Sequence, residues 1–197
     1  MIQINSNERL FIVGKTGSGK SYFIKSLLPK VKRFVFYDPK HQHNDINAVL
    51  VRNLTDLKAA LLKHNHIVYR PFFPDDTEFN ELCKIIYITG NIIFILDEIS
   101  YHVNSWKMQA YHTAIMTSGR TRGIGIWNCT QRPREVAHNT IISESEHIIA
   151  FKLKLKTDKQ KLAESYDEFF YKAGDLEPYH YIYYNTNTDN AILCNPV

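Results

Sequence analysis

The sequence contains few cysteines and no long apolar stretch, and each shortage excludes a class of protein. Its three cysteines lie far apart and form no C-x-x-C pair. We therefore expect reduced thiols inside a cell rather than a disulfide framework. The longest apolar run, residues 92–96, is far below the roughly 20 residues that span a bilayer, and no signal peptide is visible at the start. The sequence thus predicts a protein with no membrane span of its own.

The charge balance and the possible metal ligands are also unremarkable. A formal net charge of +4 permits an acidic partner such as nucleic acid but does not require one. Two His-x-His pairs, His41 with His43 and His64 with His66, have a spacing that metal ligands can show. Because no cysteine or acidic cluster completes either pair, we interpret all four as loop and surface histidines.

Short apolar runs alternate with helical segments along most of the chain. Several of the runs are continuously apolar, which is typical of parallel strands that are covered on both faces. The candidate strands are residues 10–13, 34–37, 67–69, 92–96, 124–129 and 147–153. The candidate helices are residues 21–28, 54–63, 77–89, 104–118, 135–142 and 157–165. This alternation predicts one α/β domain over residues 1–197, with right-handed crossovers.

The C-terminal segment departs from this alternation. Residues 179–184 are aromatic and strand-prone, residues 185–190 are polar and can turn, and residues 191–194 can return as a second strand. We predict a β-hairpin over about residues 179–195 that extends one edge of the sheet. Closing that edge is its simplest role. Contacts within a ring of subunits and stacking on DNA are the alternatives.

The strongest motif is G-K-T-G-S-G-K-S at residues 14–21, directly after the apolar run 10–13. A strand that feeds a glycine-rich turn, which then opens a helix, directs backbone N–H groups and the positive end of the helix dipole at one spot. Lys20 can reach the β- and γ-phosphates of a nucleotide, and the Ser21 hydroxyl can ligate Mg²⁺. A turn without a ligand is the alternative, which the following helix disfavours. The expected nucleotide-binding residues are Gly14, Thr16, Gly17, Ser18, Gly19, Lys20, Ser21 and Tyr22.

A second motif is the apolar run 92–96 followed by Asp97 and Glu98. Ligands of parallel sheets bind beyond the carboxyl ends of the strands, so Asp97 is expected to face the same crevice as the glycine-rich loop. There Asp97 can hold Mg²⁺, directly or through water. Glu98 can accept a proton from an attacking water or orient it. A helix N-cap is the alternative role for Asp97, which the presence of the glycine-rich loop disfavours.

A basic turn precedes the run 124–129, and a polar cluster follows it. Gln131, in the polar cluster, can sense a γ-phosphate or position water. Arg120 and Arg122 lie at the other end of the run, where they cannot easily reach the phosphate loop of their own subunit. In a ring they could reach a neighbour's nucleotide as arginine fingers. A solvated turn and a DNA contact are the alternatives for both arginines.

Basic residues are concentrated between residues 119 and 161, where nine Lys and Arg oppose four acidic residues. Lys152, Lys154 and Lys156 alternate with leucines and would share one face of a strand. They either protect an edge strand or contact DNA phosphates. In the second case, binding would be independent of sequence and would weaken with salt. Further candidates for DNA contact are the histidines His41 and His43 and the loop 101–104.

These motifs together resemble the FtsK–HerA superfamily of P-loop motors. Within it they resemble the small genome-packaging ATPases of tailless icosahedral viruses with internal membranes. The resemblance covers roughly residues 9–195. Beyond the glycine-rich loop it rests on residues 37–40 (Y-D-P-K), 96–98 (L-D-E), 122–125 (R-G-I-G), 130–133 (T-Q-R-P) and 148–153 (I-I-A-F-K-L). The Q-R-P tripeptide is the most specific of these.

The resemblance implies a P-loop NTPase fold of the RecA/ASCE type, a three-layer sandwich in which the Gln131 strand separates the phosphate-loop strand from the Asp97 strand. Lys20 and Ser21 would bind ATP and Mg²⁺, and Asp97 would be the Mg²⁺ carboxylate. The catalytic base would be Glu98. Gln131 would serve as a sensor, with Arg122 as the leading trans-acting finger and Arg120 second.

The implied activity is ATP hydrolysis coupled to movement of double-stranded DNA by a ring of five or six subunits, which packages a viral genome into a preformed capsid. The implied partners are DNA, further copies of the chain, and a capsid-vertex or membrane-associated viral protein. The expected location is the host cytoplasm, with association at the assembling virion. Because the chain has no room for the extra domains of cellular relatives, we expect a bare motor.

Two other functional classes stay open. One is an ATPase that drives the assembly or export of protein. The other is a small-molecule P-loop kinase, which the acidic pair Asp97 and Glu98 disfavours, because a kinase must keep water away from the phosphate.

Overall fold

A nine-stranded sheet forms the centre of the computed structural model, which describes residues 4–196. In chain order the strands are β1 Arg9–Val13, β2 Phe34–Tyr37, β3 Val49–Val51, β4 His66–Tyr69, β5 Ile92–Leu96, β6 Ile124–Thr130, β7 His147–Ala150, β8 Tyr181–Asn185 and β9 Asn190–Cys194. They lie side by side in the order β3-β4-β2-β5-β6-β1-β7-β8-β9. All pairings from β3 to β7 are parallel, and β8 and β9 join antiparallel at one edge. The ends of the predicted domain, residues 1–3 and 197, lie outside the described residues.

The six helices are α1 Lys20–Leu27, α2 Leu54–Leu61, α3 Asp76–Thr89, α4 Ala110–Ser118, α5 Asn139–Glu144 and α6 Lys156–Ser165. Side chains cap three of them, since Asn53, Asp75 and His138 accept hydrogen bonds from the N–H groups of Asp56, Glu78 and Thr140. Helix α1 begins directly after Gly19 and has no side-chain cap. The N–H groups at its start are therefore open to a ligand.

Alternate residues of the strands face two apolar clusters, one on each side of the sheet. Phe11 and Val13 of β1 belong to a cluster that includes side chains of α2–α6, whereas Leu10 and Ile12 belong to another that includes side chains of α1. The strands are thus covered on both faces, as their continuously apolar character predicted. The result is a three-layer α/β sandwich with a mostly parallel sheet, and β6 lies between β1 and β5. The predicted P-loop NTPase fold class is confirmed.

All six predicted strands and the C-terminal hairpin are present, and two strand predictions need correction. Strand β3 was not predicted, because a three-residue edge strand with an exposed Leu50 carries too little apolar pattern. The run 147–153 ends as a strand at Ala150. Because β8 pairs with the outer side of β7, β7 is not an edge strand. The interpretation of Lys152, Lys154 and Lys156 as protection of an edge strand is therefore wrong.

Two helices begin later than predicted, because local side chains hold turns in front of them. Helix α4 begins at Ala110 rather than at residue 104, and the Asn104 side chain accepts hydrogen bonds from the N–H groups of Trp106 and Lys107. Helix α5 begins at Asn139 rather than at residue 135. None of the helices between residues 4 and 196 combines the length and the apolar character that crossing a membrane requires.

Candidate nucleotide-binding site

The loop between β1 and α1 lies at the carboxyl end of the sheet and is anchored on both neighbouring segments. The Gly14 N–H donates to the Thr130 carbonyl at 3.2 Å, and the Lys15 N–H donates to the Lys152 carbonyl at 2.9 Å. Gly14 has a φ of 155°, and a Cβ there would lie 2.6 Å from Ser18 Oγ. Only glycine fits this close approach, so the loop shape depends on the residue that the motif supplies.

Lys20 is buried, with 8% of its surface exposed, and it has no acidic partner among residues 4–196. Its Nζ donates instead to the carbonyl of Gly14 at 2.5 Å and to that of Lys15 at 3.2 Å. Burial lowers the pKa of Lys20 below its ordinary value, although nearby acidic groups oppose the shift. Close by, the Ser18 hydroxyl is buried and has no hydrogen-bond partner. Both groups are therefore suited to an anionic ligand, and a triphosphate fits these donors.

Asp97 follows β5 and faces the same cavity as the glycine-rich loop. The cavity measures about 220 Å³, and its lining includes Thr16, Lys20, Ser21, Asp97 and Gln131. This shared lining brings a hydroxyl and a carboxylate, both ligands that Mg²⁺ accepts, next to the lysine that suits phosphate. The residues present thus fit a Mg²⁺–nucleotide complex. The individual assignments stay predictions.

A buried histidine lies beside Asp97, which corrects the interpretation of His43 as a surface residue. His43 is 4% exposed, and its Nε2 lies 3.1 Å from Asp97 Oδ2. Neither of its ring nitrogens makes a hydrogen bond. Because it is buried, His43 is also a poor candidate for DNA contact. His41, the other member of the pair, is exposed.

Asp38 completes a group of three potential metal ligands with His43 and Asp97, whose ligand atoms lie within 4.8 Å of one another. The Asp38 carboxylate is already engaged, however. It accepts hydrogen bonds from Arg70 Nε at 2.7 Å, from the Gln42 N–H at 3.0 Å and from the His43 N–H at 3.1 Å. We therefore assign Asp38 to holding the loop after β2 in place and not to binding a metal.

Glu98, the candidate base, is 4% exposed, and both of its carboxylate oxygens have partners. Lys40 Nζ donates to Oε2 at 2.9 Å, and Ser100 Oγ donates to Oε1 at 2.9 Å. Lys40 also lines the nucleotide cavity. The carboxylate of Glu98 is thus paired with Lys40, a second lysine that lines the same cavity as Lys20.

Gln131, the candidate sensor, directly follows β6 and reaches across to the glycine-rich loop. The Thr16 hydroxyl donates to its Oε1 at 2.6 Å. Because β6 lies between β1 and β5, Gln131 lies between the two motifs that the sequence analysis singled out. It is therefore placed to respond to what binds in the loop.

The two candidate finger arginines lie in the turn Gly119–Arg122 before β6, at the end of the sheet opposite to the cavity. Arg120 Nη1 pairs with Glu146 Oε1 at 3.0 Å. Arg122 Nε donates to the Tyr87 carbonyl at 2.6 Å, and its guanidinium lies 4.7 Å from the centre of the Tyr87 ring. Both are exposed, both have partners within the chain, and neither lines the cavity. Their role as arginine fingers stays a prediction.

Three residues of the site were not identified from the sequence as parts of it. Lys40 entered only as part of the Y-D-P-K resemblance, and His43 was placed on the surface. Tyr179 lines the cavity beside Tyr22, with ring centres 5.9 Å apart. Lys40 could have been identified from the sequence, because it closely follows a buried parallel strand and ligands bind at the carboxyl ends of such strands.

No protein-family model matches the sequence, and no curated protein is significantly similar to it. Solved structures do share its fold. The genome packaging NTPase B204 from Sulfolobus turreted icosahedral virus 2, in complex with AMPPCP, has a TM-score of 0.84 and 20% identity, over 98% of this chain and 100% of that chain. The pCW3 conjugation coupling protein TcpA has a TM-score of 0.67 and 14% identity, over 98% of this chain and 61% of that chain.

A third similar structure is the cytoplasmic domain of the Type VII secretion ATPase EccC from Thermomonospora curvata. Its TM-score is 0.62 at 14% identity, over 94% of this chain and 25% of that chain. At these identities the likenesses show the fold. The chain thus shares the fold of these ATPases, as the resemblance of its motifs implied.

Proposed function

We propose that the chain hydrolyses ATP and uses the energy to move double-stranded DNA, and that it packages a viral genome as a ring of five or six subunits. The observation that carries the proposal is the cavity that joins Lys20 and Ser21 to Asp97. The buried Glu98 follows Asp97 directly in the chain and pairs with Lys40, which also lines the cavity. A lysine, a hydroxyl and a carboxylate around one cavity suit a Mg²⁺–triphosphate, and a second carboxylate suits activation of water.

Each residue then has a defined task. Lys20 and the N–H groups at the start of α1 bind the phosphates. Ser21 and Asp97 hold the Mg²⁺, which neutralises phosphate charge when it is bound. Glu98 orients the attacking water and accepts its proton. Gln131, whose Oε1 accepts a hydrogen bond from Thr16 at 2.6 Å, couples the occupancy of the phosphate site to the position of β6.

The choice of DNA as the moved polymer is supported by likeness and by charge. B204 is described as a genome packaging NTPase, and it matches this chain over nearly its whole length. Lys152, Lys154 and Lys156 lie just after β7, at the same end of the sheet as the phosphate loop, and the last two are exposed. Since they do not protect an edge strand, contact with DNA phosphates becomes their leading role. We retain a capsid-vertex or membrane-associated viral protein as the docking partner, at the assembling virion in the host cytoplasm.

The proposal is tested by steady-state ATP hydrolysis with and without long double-stranded DNA, across a salt series and at concentrations that favour ring formation. We expect turnover that DNA stimulates and that salt suppresses steeply. In Glu98→Gln the turnover should fall by at least about 100-fold. Normal hydrolysis by Glu98→Gln would contradict the mechanism, and the same variant should still bind nucleotide.

An ATPase that moves protein is the second candidate, because the similar EccC structure comes from a secretion ATPase. Robust hydrolysis without DNA binding in any nucleotide state would favour it. Mixing Arg122→Ala subunits with Glu98→Gln subunits tests the ring in either case. A finger that acts in trans makes activity depend on which subunits are neighbours, whereas an arginine that acts only within its own chain gives simple dilution.

A further inference from the structure

The ion pair between Lys40 and Glu98 occupies the very oxygen that a base needs. Lys40 Nζ lies 2.9 Å from Glu98 Oε2, and the side chains of the two residues are 19% and 6% exposed. Ser100 occupies the other oxygen at 2.9 Å. In this arrangement, both oxygens of Glu98 are engaged, and neither is turned to an attacking water.

Lys40 also faces the nucleotide. It lines the cavity together with Lys20, Ser21 and Asp97, so that the cavity has a lysine on each of two sides. Its backbone is fixed by the loop after β2, where the Asp38 carbonyl accepts the His41 N–H at 3.2 Å. The backbone of Lys40 is thus anchored, while its four-carbon side chain ends between a carboxylate and a phosphate-binding cavity.

We propose that Lys40 is a positioning residue that exchanges partners. It holds Glu98 Oε2 while no triphosphate is bound, and it transfers to the γ-phosphate when ATP binds. The exchange releases Oε2 for water, while Ser100 keeps the other oxygen in place. This inference rests on the proposed ATP hydrolysis at the same site, and it explains how the chain would withhold its base until the substrate is complete.

The chemistry of lysine favours such an exchange. An ammonium group is a compact charge on a flexible stem, so it changes partner without the fixed fork geometry that ties an arginine to a carboxylate. Glu98 carries one negative charge, whereas a terminal γ-phosphate carries about −1.5 to −2. The attraction between close charges is strong where water is scarce. ADP lacks this phosphate and leaves Lys40 on Glu98. The site would thereby distinguish ATP from ADP.

The test compares binding of ADP with binding of AMPPCP, an ATP analogue that is not hydrolysed, by titration calorimetry with Mg²⁺. We expect Lys40→Met to weaken AMPPCP binding about tenfold and ADP binding less than about twofold. Lys40→Arg retains the charge but favours the carboxylate through its fixed fork, so it should weaken AMPPCP binding less than Lys40→Met does and leave ADP binding within about twofold of the wild type. Lys25→Met is the matched control. It removes a lysine that pairs with Asp45 at 2.6 Å and does not line the cavity.

A double-mutant cycle isolates the exchange from simple charge effects. Glu98→Gln removes the competitor for Lys40, so it should tighten AMPPCP binding about fivefold in the wild type. In the Lys40→Met background, Glu98→Gln should change AMPPCP affinity less than about twofold, because no lysine is present that could move from Glu98 to the γ-phosphate. ADP binding should stay unchanged throughout.

The outcomes separate the two proposals. The exchange would be overturned if Lys40→Met lowered the affinities for AMPPCP and ADP equally. It would also be overturned if Glu98→Gln changed AMPPCP affinity equally in both backgrounds. Either result would leave the proposed ATP hydrolysis standing. Failure of the wild type to bind either nucleotide would overturn the proposed function, and the exchange with it.

Discussion

Two clusters of buried charged side chains lie at opposite ends of the same sheet, and they are built differently. The amino-end cluster comprises Glu8, Arg9, Glu146 and His147. In it His147 Nε2 lies 2.9 Å from Glu8 Oε2, and Arg9 Nη1 lies 3.5 Å from Glu146 Oε2. The exposed Arg120 adds a further pair to Glu146. Each acidic group therefore has a basic partner within the chain.

The carboxyl-end cluster, which comprises Lys20, Lys40, His43, Asp97 and Glu98, leaves one member without a charged partner in the described part of the chain. Lys40 pairs with Glu98 at 2.9 Å, and His43 Nε2 lies 3.1 Å from Asp97 Oδ2. Lys20, by contrast, bonds only to two backbone carbonyls. Burial of polar groups without partners costs stability, so this end resembles a site that is completed by a ligand.

The pKa shifts of Glu8 and Lys20 show the same contrast. Burial raises the pKa of Glu8, but hydrogen bonds from Asn5 and His147 outweigh it and leave the pKa below its ordinary value. For Lys20 burial prevails and the pKa is lowered. Contacts within the chain thus favour the charged form of Glu8, whereas for Lys20 they do not outweigh burial. The difference indicates that one cluster serves the fold and the other serves a ligand.

The largest expected effect comes from Lys20→Met. We expect ATP turnover to fall by at least about 100-fold, because the phosphates lose their buried cation. The free energy of unfolding should stay within about 1 kcal/mol or rise, since a lowered lysine pKa means that the charge opposes folding at neutral pH. Urea unfolding and an ATPase assay measure the two effects, with Lys25→Met as the control on the same helix. A large loss of stability would remove the distinction between the two ends.

The reciprocal change is Glu146→Gln at the amino end. It leaves the buried Arg9 without its carboxylate, so we expect a loss of about 3 kcal/mol in the free energy of unfolding. ADP affinity under native conditions should change less than about twofold, because the carboxyl-end cluster is untouched. Glu144→Gln, two residues away and outside any ion pair in the described part of the chain, should change neither quantity. Weakened ADP binding in Glu146→Gln would show that the two ends are coupled.

The two ends also differ in how far their details could be predicted from the sequence. The phosphate loop was predictable because its shape depends on consecutive residues: a strand, glycines and a helix start. The placement of Asp97 needed only the rule that parallel strands deliver ligands at their carboxyl ends. The position of the Gln131 strand followed from the resemblance, and the C-terminal hairpin followed from turn chemistry.

What could not be predicted depends on pairs that are distant in the chain. Lys40 and Glu98 are 58 residues apart, and they meet only because β2 and β5 are neighbours. His43 is buried for the same reason, although its local sequence reads as a polar loop. The pairs of the amino-end cluster are still further apart along the chain, with a separation of 139 residues for Glu8 and His147 and of 137 for Arg9 and Glu146. Residue patterns within a short window carry no information on such partners.

The smallest effect that we predict concerns His112, which lies in the interior between the two ends. His112 is fully buried, and one of its ring nitrogens, Nε2, contacts Asn128 Oδ1 of β6 at 2.9 Å. The other, Nδ1, has no partner. Burial lowers the pKa of His112 to about 4. The unfolded chain therefore binds this proton at a higher pH than the folded protein does, and stability falls as the pH drops from about 6.5 towards 4.

Between pH 7 and pH 5 this linkage amounts to about 2 kcal/mol, measured as the fall in the free energy of urea unfolding. His112→Gln should remove that share of the pH dependence. His102, whose pKa is also lowered by burial, is present in both proteins and contributes equally. An unchanged pH slope in His112→Gln would assign the acid sensitivity to the paired charges of the amino end instead, and would make that end, rather than the interior, the acid-sensitive part of the fold.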